Sequence, residues 1–189
     1  MALLEVTLDS ATPALADALR QLEGEARQLI LKDWGEYLLG STRRRGKQQV
    51  DPSGRKWRAL SPSYKRYKQR KRPGRPILEF DFHMLGDMAS WQLDGSDAVL
   101  VGTNAPYGAI HQGGGTISRP ARSTHVNLRT GKGGSRFVKA SRQNQQYRRR
   151  VTLPAYTITI AARPWLGVSR EDEKELLDIA QDHLSGAFE

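Results

Sequence analysis

The chain has 189 residues, 30 Lys and Arg against 20 Asp and Glu, and a net charge of +10, a size that suits one domain with extensions. It has no cysteine, which excludes disulfides and thiolate metal sites, and no stretch nears the roughly 18 apolar residues of a membrane span. Charge is unevenly placed: Ser41–Pro76 and Gly113–Arg150 hold 24 of the 30 basic residues and one acid, Asp51, so these stretches carry +23 and the remainder −13.

Met1-Ala2-Leu3-Leu4-Glu5 meets an acid before an apolar run develops, so an unexported protein is expected. Thr12-Pro13 reads as an N-cap followed by the proline-tolerant first helical position. Leu15, Leu19, Leu22, Ala26, Leu29, Ile30, Trp34 and Leu38 then recur at three- and four-residue steps, predicting a long amphipathic helix weakened at Gly24 and Gly35. The first basic stretch opens with Arg43, Arg44, Arg45 and Lys47, and passes a turn at Asp51-Pro52-Ser53-Gly54. Ser61-Pro62 then starts a short basic helix that ends at Pro73-Gly74.

Phe80, Met84, Leu85, Met88 and Trp91 keep helical spacing. Asp94-Gly95 supplies the positive dihedrals of a tight turn between Trp91-Gln92-Leu93 and Ala98–Gly102, a β-hairpin. Thr103–Gln112 reads as a turn and a short helical piece, broken by Gly113-Gly114-Gly115. The second basic stretch carries Arg119, Arg122, Arg129, Lys132, Arg136, Lys139, Arg142, Arg148, Arg149 and Arg150, with no acid. Its composition buries too little apolar surface to offset ordering entropy unaided, and a weak hairpin from Thr124–Leu128 and Phe137-Val138 is the most it is expected to form. Val151–Leu153 and Tyr156–Ile160 are β-branched strands, and Ser169 caps a final helix whose first-turn acids suit the positive end of its dipole.

Catalytic signatures are lacking. His83, His111, His125 and His183 have no paired metal-ligand spacing. Gly131-Lys132 has Val126 where a phosphate loop needs its first glycine, Glu171 stands where a nucleophile elbow around Ser169 needs glycine, and Glu79 with Asp81 lacks a third ligand for a nuclease pair. No catalytic residue, cofactor, metal or small-molecule substrate is expected. The basic arms interleave aromatics, Trp57, Tyr64 and Tyr67 in one and Phe137 and Tyr147 in the other. They suit docking on an acidic protein surface, a neighbouring copy included, or, as the alternative, direct grip of duplex DNA.

Val101-Gly102-Thr103-Asn104-Ala105-Pro106-Tyr107-Gly108-Ala109-Ile110-His111-Gln112-Gly113-Gly114 resembles a segment of the phage virion morphogenesis family, which includes Mu-like G and P2-like S tail-completion proteins. Three further segments follow the family's order: Asp51–Gly54 with Trp57 and Leu60-Ser61, Ile77-Leu78 with Leu85, and Ala162-Arg163-Pro164-Trp165-Leu166-Gly167-Val168-Ser169. The resemblance implies a non-enzymatic virion protein of the head–tail junction, present in the host cytoplasm during assembly. It also implies a homo-oligomeric ring, six copies being usual, with adjacent tail or connector proteins and DNA in the channel as partners. Gly54, Trp57, Gly102, Asn104, Tyr107, Gln112, Gly113, Arg163, Pro164 and Leu166 read as fold-setting, with Gly102 and Asn104 at turns, and His111 as an interface residue.

The expected architecture is one α+β domain over residues 1–189, in which a curled antiparallel β-sheet, built from strands near Trp91–Gly102 and Val151–Ile160, packs against the long N-terminal helix and the C-terminal helix. Extended basic arms over residues 41–76 and 113–150 project from it.

Overall fold

Helix α1 (Glu25–Gln48) buries Ile30, Leu31, Trp34, Leu38 and Thr42 along one face, spacings of three and four that a 3.6-residue period requires. The structure is a computed structural model that describes residues 2–7, 24–131, 134–139 and 147–186; the expected helix start at Thr12-Pro13 lies outside them. Gly24, at φ 62, stands immediately before α1, and Gln49 closes it in the left-handed conformation.

Two units divide the chain, Met1–Gly115 with Ala161–Glu189, and Thr116–Ile160. In the first, β1 (Ala2–Thr7), β2 (Ala89–Asp94) and β3 (Ala98–Thr103) form an antiparallel sheet in the order β1-β3-β2, with Leu4 opposite Val101 and Trp91 opposite the same residue on the other side. Helix α1 packs on β2 and β3 and on the C-terminal helix α4 (Arg170–Gly186), and the core joins Ile30, Trp34, Leu38, Val99, Val101, Trp165, Leu176 and Ala180. Helices α2 (Pro62–Lys71) and α3 (Gly108–Gly113) complete the unit; Ser61 Oγ caps α2 by accepting from the Tyr64 amide at 3.4 Å. In the second, β4 (Gly115–Arg119) pairs with β8 (Tyr156–Ile160), and β5 (Arg122–Gly131) lies between β6 (Gly134–Phe137) and β7 (Tyr147–Leu153).

The α+β class matches expectation; the single curled sheet does not. The hairpin strands β2 and β3 belong to one sheet, whereas Val151–Leu153 and Tyr156–Ile160 fall in two others. The partner that the hairpin takes is β1, and the three sheets are small and open, with three, two and three strands. A short N-terminal run of Ala2–Thr7, too brief to show a period, gives no hint of that pairing.

Helical spacing from Phe80 to Trp91 was also misleading. Phe82 at φ 61 precedes a π-helical turn, His83–Asp87, and the chain is already a strand at Ala89. Arg43 holds that turn, its guanidinium donating to the Leu85 and Gly86 carbonyls at 3.0 and 3.2 Å. In the second basic stretch more structure forms than expected: β5 runs ten residues, pairs along its length with β7 and turns into β6, and Leu128 is buried.

Gly35 marks the closest approach of α1 to the sheet. A Cβ there would sit 2.6 Å from Trp91 Cδ2. Alanine would gain about 1 kcal/mol of helix propensity, but overpacking against the half-buried Trp91 ring costs about 1–3 kcal/mol. Gly35→Ala is therefore expected to lower unfolding free energy by up to about 2 kcal/mol in urea titrations; a gain in stability would show the ring moves freely.

Candidate functional site

Three of the resembling segments converge in the first unit. Gln112, near the end of α3, accepts at Oε1 from the Trp165 and Leu166 amides, 2.9 and 3.0 Å, while its Nε2 donates to the Leu166 carbonyl at 2.8 Å. The Arg163 amide donates to the His111 carbonyl at 2.8 Å. Together these four bonds fasten the segment before α4 onto α3 as a strand partner would, although neither is a strand.

The Arg163 side chain is buried and spreads over carbonyls of the first basic stretch, Arg58 at 2.9 Å and Ala59 at 3.3 Å. Burial, and then the charge of Arg58, lower its pKa from the usual guanidinium value. The Trp57 indole donates to the Pro164 carbonyl at 2.7 Å, and the Trp165 indole to Gly108 at 3.1 Å. Asp51 organises the turn before Trp57: its Oδ1 accepts from the Ser53 and Arg55 amides, both 2.9 Å, and Gly54 takes φ 81. Trp57, Gln112, Arg163, Pro164 and Leu166 thus form one clasp.

A second centre lies against α1. Asp172 is 1% exposed, forms an ion pair with Arg45, and accepts from Ser41 Oγ. Its carboxylate takes the Ser169 amide at 2.9 Å while the Asp172 amide donates to Ser169 Oγ at 3.1 Å, a reciprocal capping box at the start of α4. Arg45 also donates to the Gly167 carbonyl at 2.7 Å. Burial alone would raise the Asp172 pKa, but the Ser41 hydroxyl, the Ser169 amide and Arg45 outweigh it and hold the carboxyl below its usual range.

The expected contact residues are distributed unevenly. Arg43 and Arg45 are committed to internal bonds, Arg44 lies 5.4 Å above the Tyr37 ring, and Lys47 is exposed on α1. His111 is half-buried, with Nδ1 lacking a hydrogen-bond partner and its ring edge-on to Tyr107 at 6.1 Å; burial and then Arg163 lower its pKa. Tyr107 precedes α3, Gly113 ends it, and Asn104 donates its amide to Met88. Gly102 is inside β3, opposite Leu3 and Ser90, and not at a turn. Arg119, Arg122, Arg129, Arg136, Lys139, Arg148, Arg149 and Arg150 are exposed in the second unit; Lys132 and Arg142 lie outside the described residues.

Asp172 and Ser41 were not singled out by sequence. The Ser169-x-x-Asp172 spacing was the available signal, and Arg45 continues the inward stripe of α1 three residues past Thr42. Among the described residues no group of His, Asp and Glu is placed to hold a metal, and no helix is long and apolar enough to cross a membrane.

These centres use indoles, amides and a buried ion pair to lock chain segments together, which defines a structural module. The phage virion morphogenesis family model matches residues 6–185, and the chain belongs to that family. It is a non-enzymatic, virion-associated tail-completion protein that acts with other phage structural proteins. No curated protein and no solved structure matches it.

Proposed function

We propose that the protein completes the phage tail by closing into a six-membered ring at the head–tail junction, each copy meeting the next through a heterologous contact. Charge segregation within the first unit is the observation that supports this reading. Ten Lys and Arg and no acid fall in residues 116–160, so the rest of the chain is balanced at 20 of each sign. Within that balanced part, α2 carries five cations and no acid, and α4 sets Glu171, Glu175, Asp178 and Asp182 at steps of four, three and four. At 3.6 residues per turn those four exposed carboxylates occupy one stripe. Like charges four apart cost a helix about 0.2–0.5 kcal/mol per pair, and among the described residues no ion pair joins α4 to α2.

A basic helix on one copy and an acidic stripe on the next give a contact that repeats around an axis. Reversing Lys65, Arg66 and Arg70 to Glu is expected to yield monomers in sedimentation velocity and to abolish infectious particles, as is reversing Glu171, Glu175 and Asp178 to Lys. Both reversals in one chain restore the ring. Rings of normal size from either single reversal would overturn the reading.

A further inference from the structure

The register of the second unit sorts its residues by face, because side chains alternate along a strand and directly opposed residues share a side. Arg150 lies opposite His125, Arg148 opposite Asn127, and Arg129 opposite Arg136. Ser123 and Thr152, also opposed, touch at 3.1 Å and confirm the assignment. The reverse face takes Val126, Leu128, Val151, Phe137 and Tyr147. One face of the β6-β5-β7 sheet therefore carries four arginines and no Phe, Tyr or Trp, and the other carries the apolar residues together with Arg122 and Arg149.

We propose that this cationic face binds the phosphate backbone of duplex DNA. All four of its formally charged residues are Arg, whose planar fork pairs bidentately with phosphate. Ser, Asn and Thr fill the positions between them, the neutral donors that phosphate contacts commonly use. No acidic residue occurs in residues 116–160 to repel a polyanion. From 125 to 129 along β5 the face extends about 14 Å, and three strands give it a width of about 10 Å. A duplex carries about one charge per 1.7 Å of axis, roughly eight phosphates over that length, enough for every arginine. An acidic helix such as α4 of another copy offers one row of carboxylates, narrower than the patch. Single strands are bound chiefly by stacking bases on aromatic rings, and here Phe137 and Tyr147 face the wrong way.

This site does not depend on ring closure, and its test reads DNA affinity with the oligomeric state measured beside it. The full-length protein is titrated into a fluorescent 30-base-pair duplex of arbitrary sequence over a salt series. Four phosphate contacts predict log K falling with log salt at a slope of about −3 to −4. Arg148→Gln with Arg150→Gln should reduce the slope by about 2, whereas Arg149→Gln, on the reverse face, leaves it unchanged with all three exposed positions retaining the fold. Absence of duplex binding at low salt overturns the proposal. So does an Arg149→Gln effect equal to that of Arg148→Gln, tighter binding to a single strand than to the duplex, or loss of self-association by Arg148→Gln with Arg150→Gln while its DNA affinity stays intact.

Discussion

Asp172→Ala is expected to lower the stability of the protein by about 3–5 kcal/mol, the cost of leaving one member of a buried ion pair without its partner. Arg45 would keep its charge in a site that is nearly closed to water, with Ser41, Thr42 and the Gly167 carbonyl as its remaining partners. The start of α4 would also lose its capping box, worth about 1 kcal/mol on its own. If that variant does not fold, Arg45→Met with Asp172→Leu still tests the account, since an apolar replacement of both charges commonly costs little. Urea unfolding of the three chains gives the comparison, and a loss below about 1 kcal/mol for Asp172→Ala would refute the assignment.

The same pair fixes a pH dependence. Because the folded state holds the Asp172 carboxyl below its unfolded value of 3.8, the stabilisation is complete above that value and is lost as pH falls through the folded pKa. Between pH 5 and pH 2 the wild-type chain should lose stability more steeply than Asp172→Asn, which has no proton to bind there. Equal slopes would place the acid sensitivity elsewhere.

Local signals in this sequence were legible and non-local ones were not. Ser61-Pro62, Asp94-Gly95, Ser169 and the stripe from Ile30 to Leu38 each specify a structure through neighbours within four residues, and each forms as read. Pairing of β1 with β3 joins residues about a hundred apart, and nothing in Ala2–Thr7 encodes the partner. The charge count divided the chain at Ser41, yet α1 continues to Gln48 because Arg45 finds Asp172, 127 residues away. A basic run is read as solvated until its counter-ion is known. Family resemblance supplied what periodicity could not: Gln112 and Arg163 gave no physical sign of their clasp before the segments were seen together.

Gln112→Ala should cost about 2–5 kcal/mol, because it removes three hydrogen bonds and leaves the Trp165 and Leu166 amides unpaired beside a fully buried indole. Each buried donor without a partner costs about 1–3 kcal/mol. Gln112→Glu separates the contributions. Its carboxylate still accepts from both amides but sets a second acceptor against the Leu166 carbonyl, so about 1–2 kcal/mol should be lost at neutral pH. Protonation restores a donor at that position, and the difference between Gln112→Glu and wild type should narrow as pH falls from 7 to 4, opposite to the trend set by Asp172. If Gln112→Glu were as damaging as Gln112→Ala at every pH, the amide contacts would count for little, and the Nε2 donation to the Leu166 carbonyl would carry the residue's contribution. If instead the two variants separate as expected, the side chain is acting as the missing strand partner that joins α3 to the segment leading into α4.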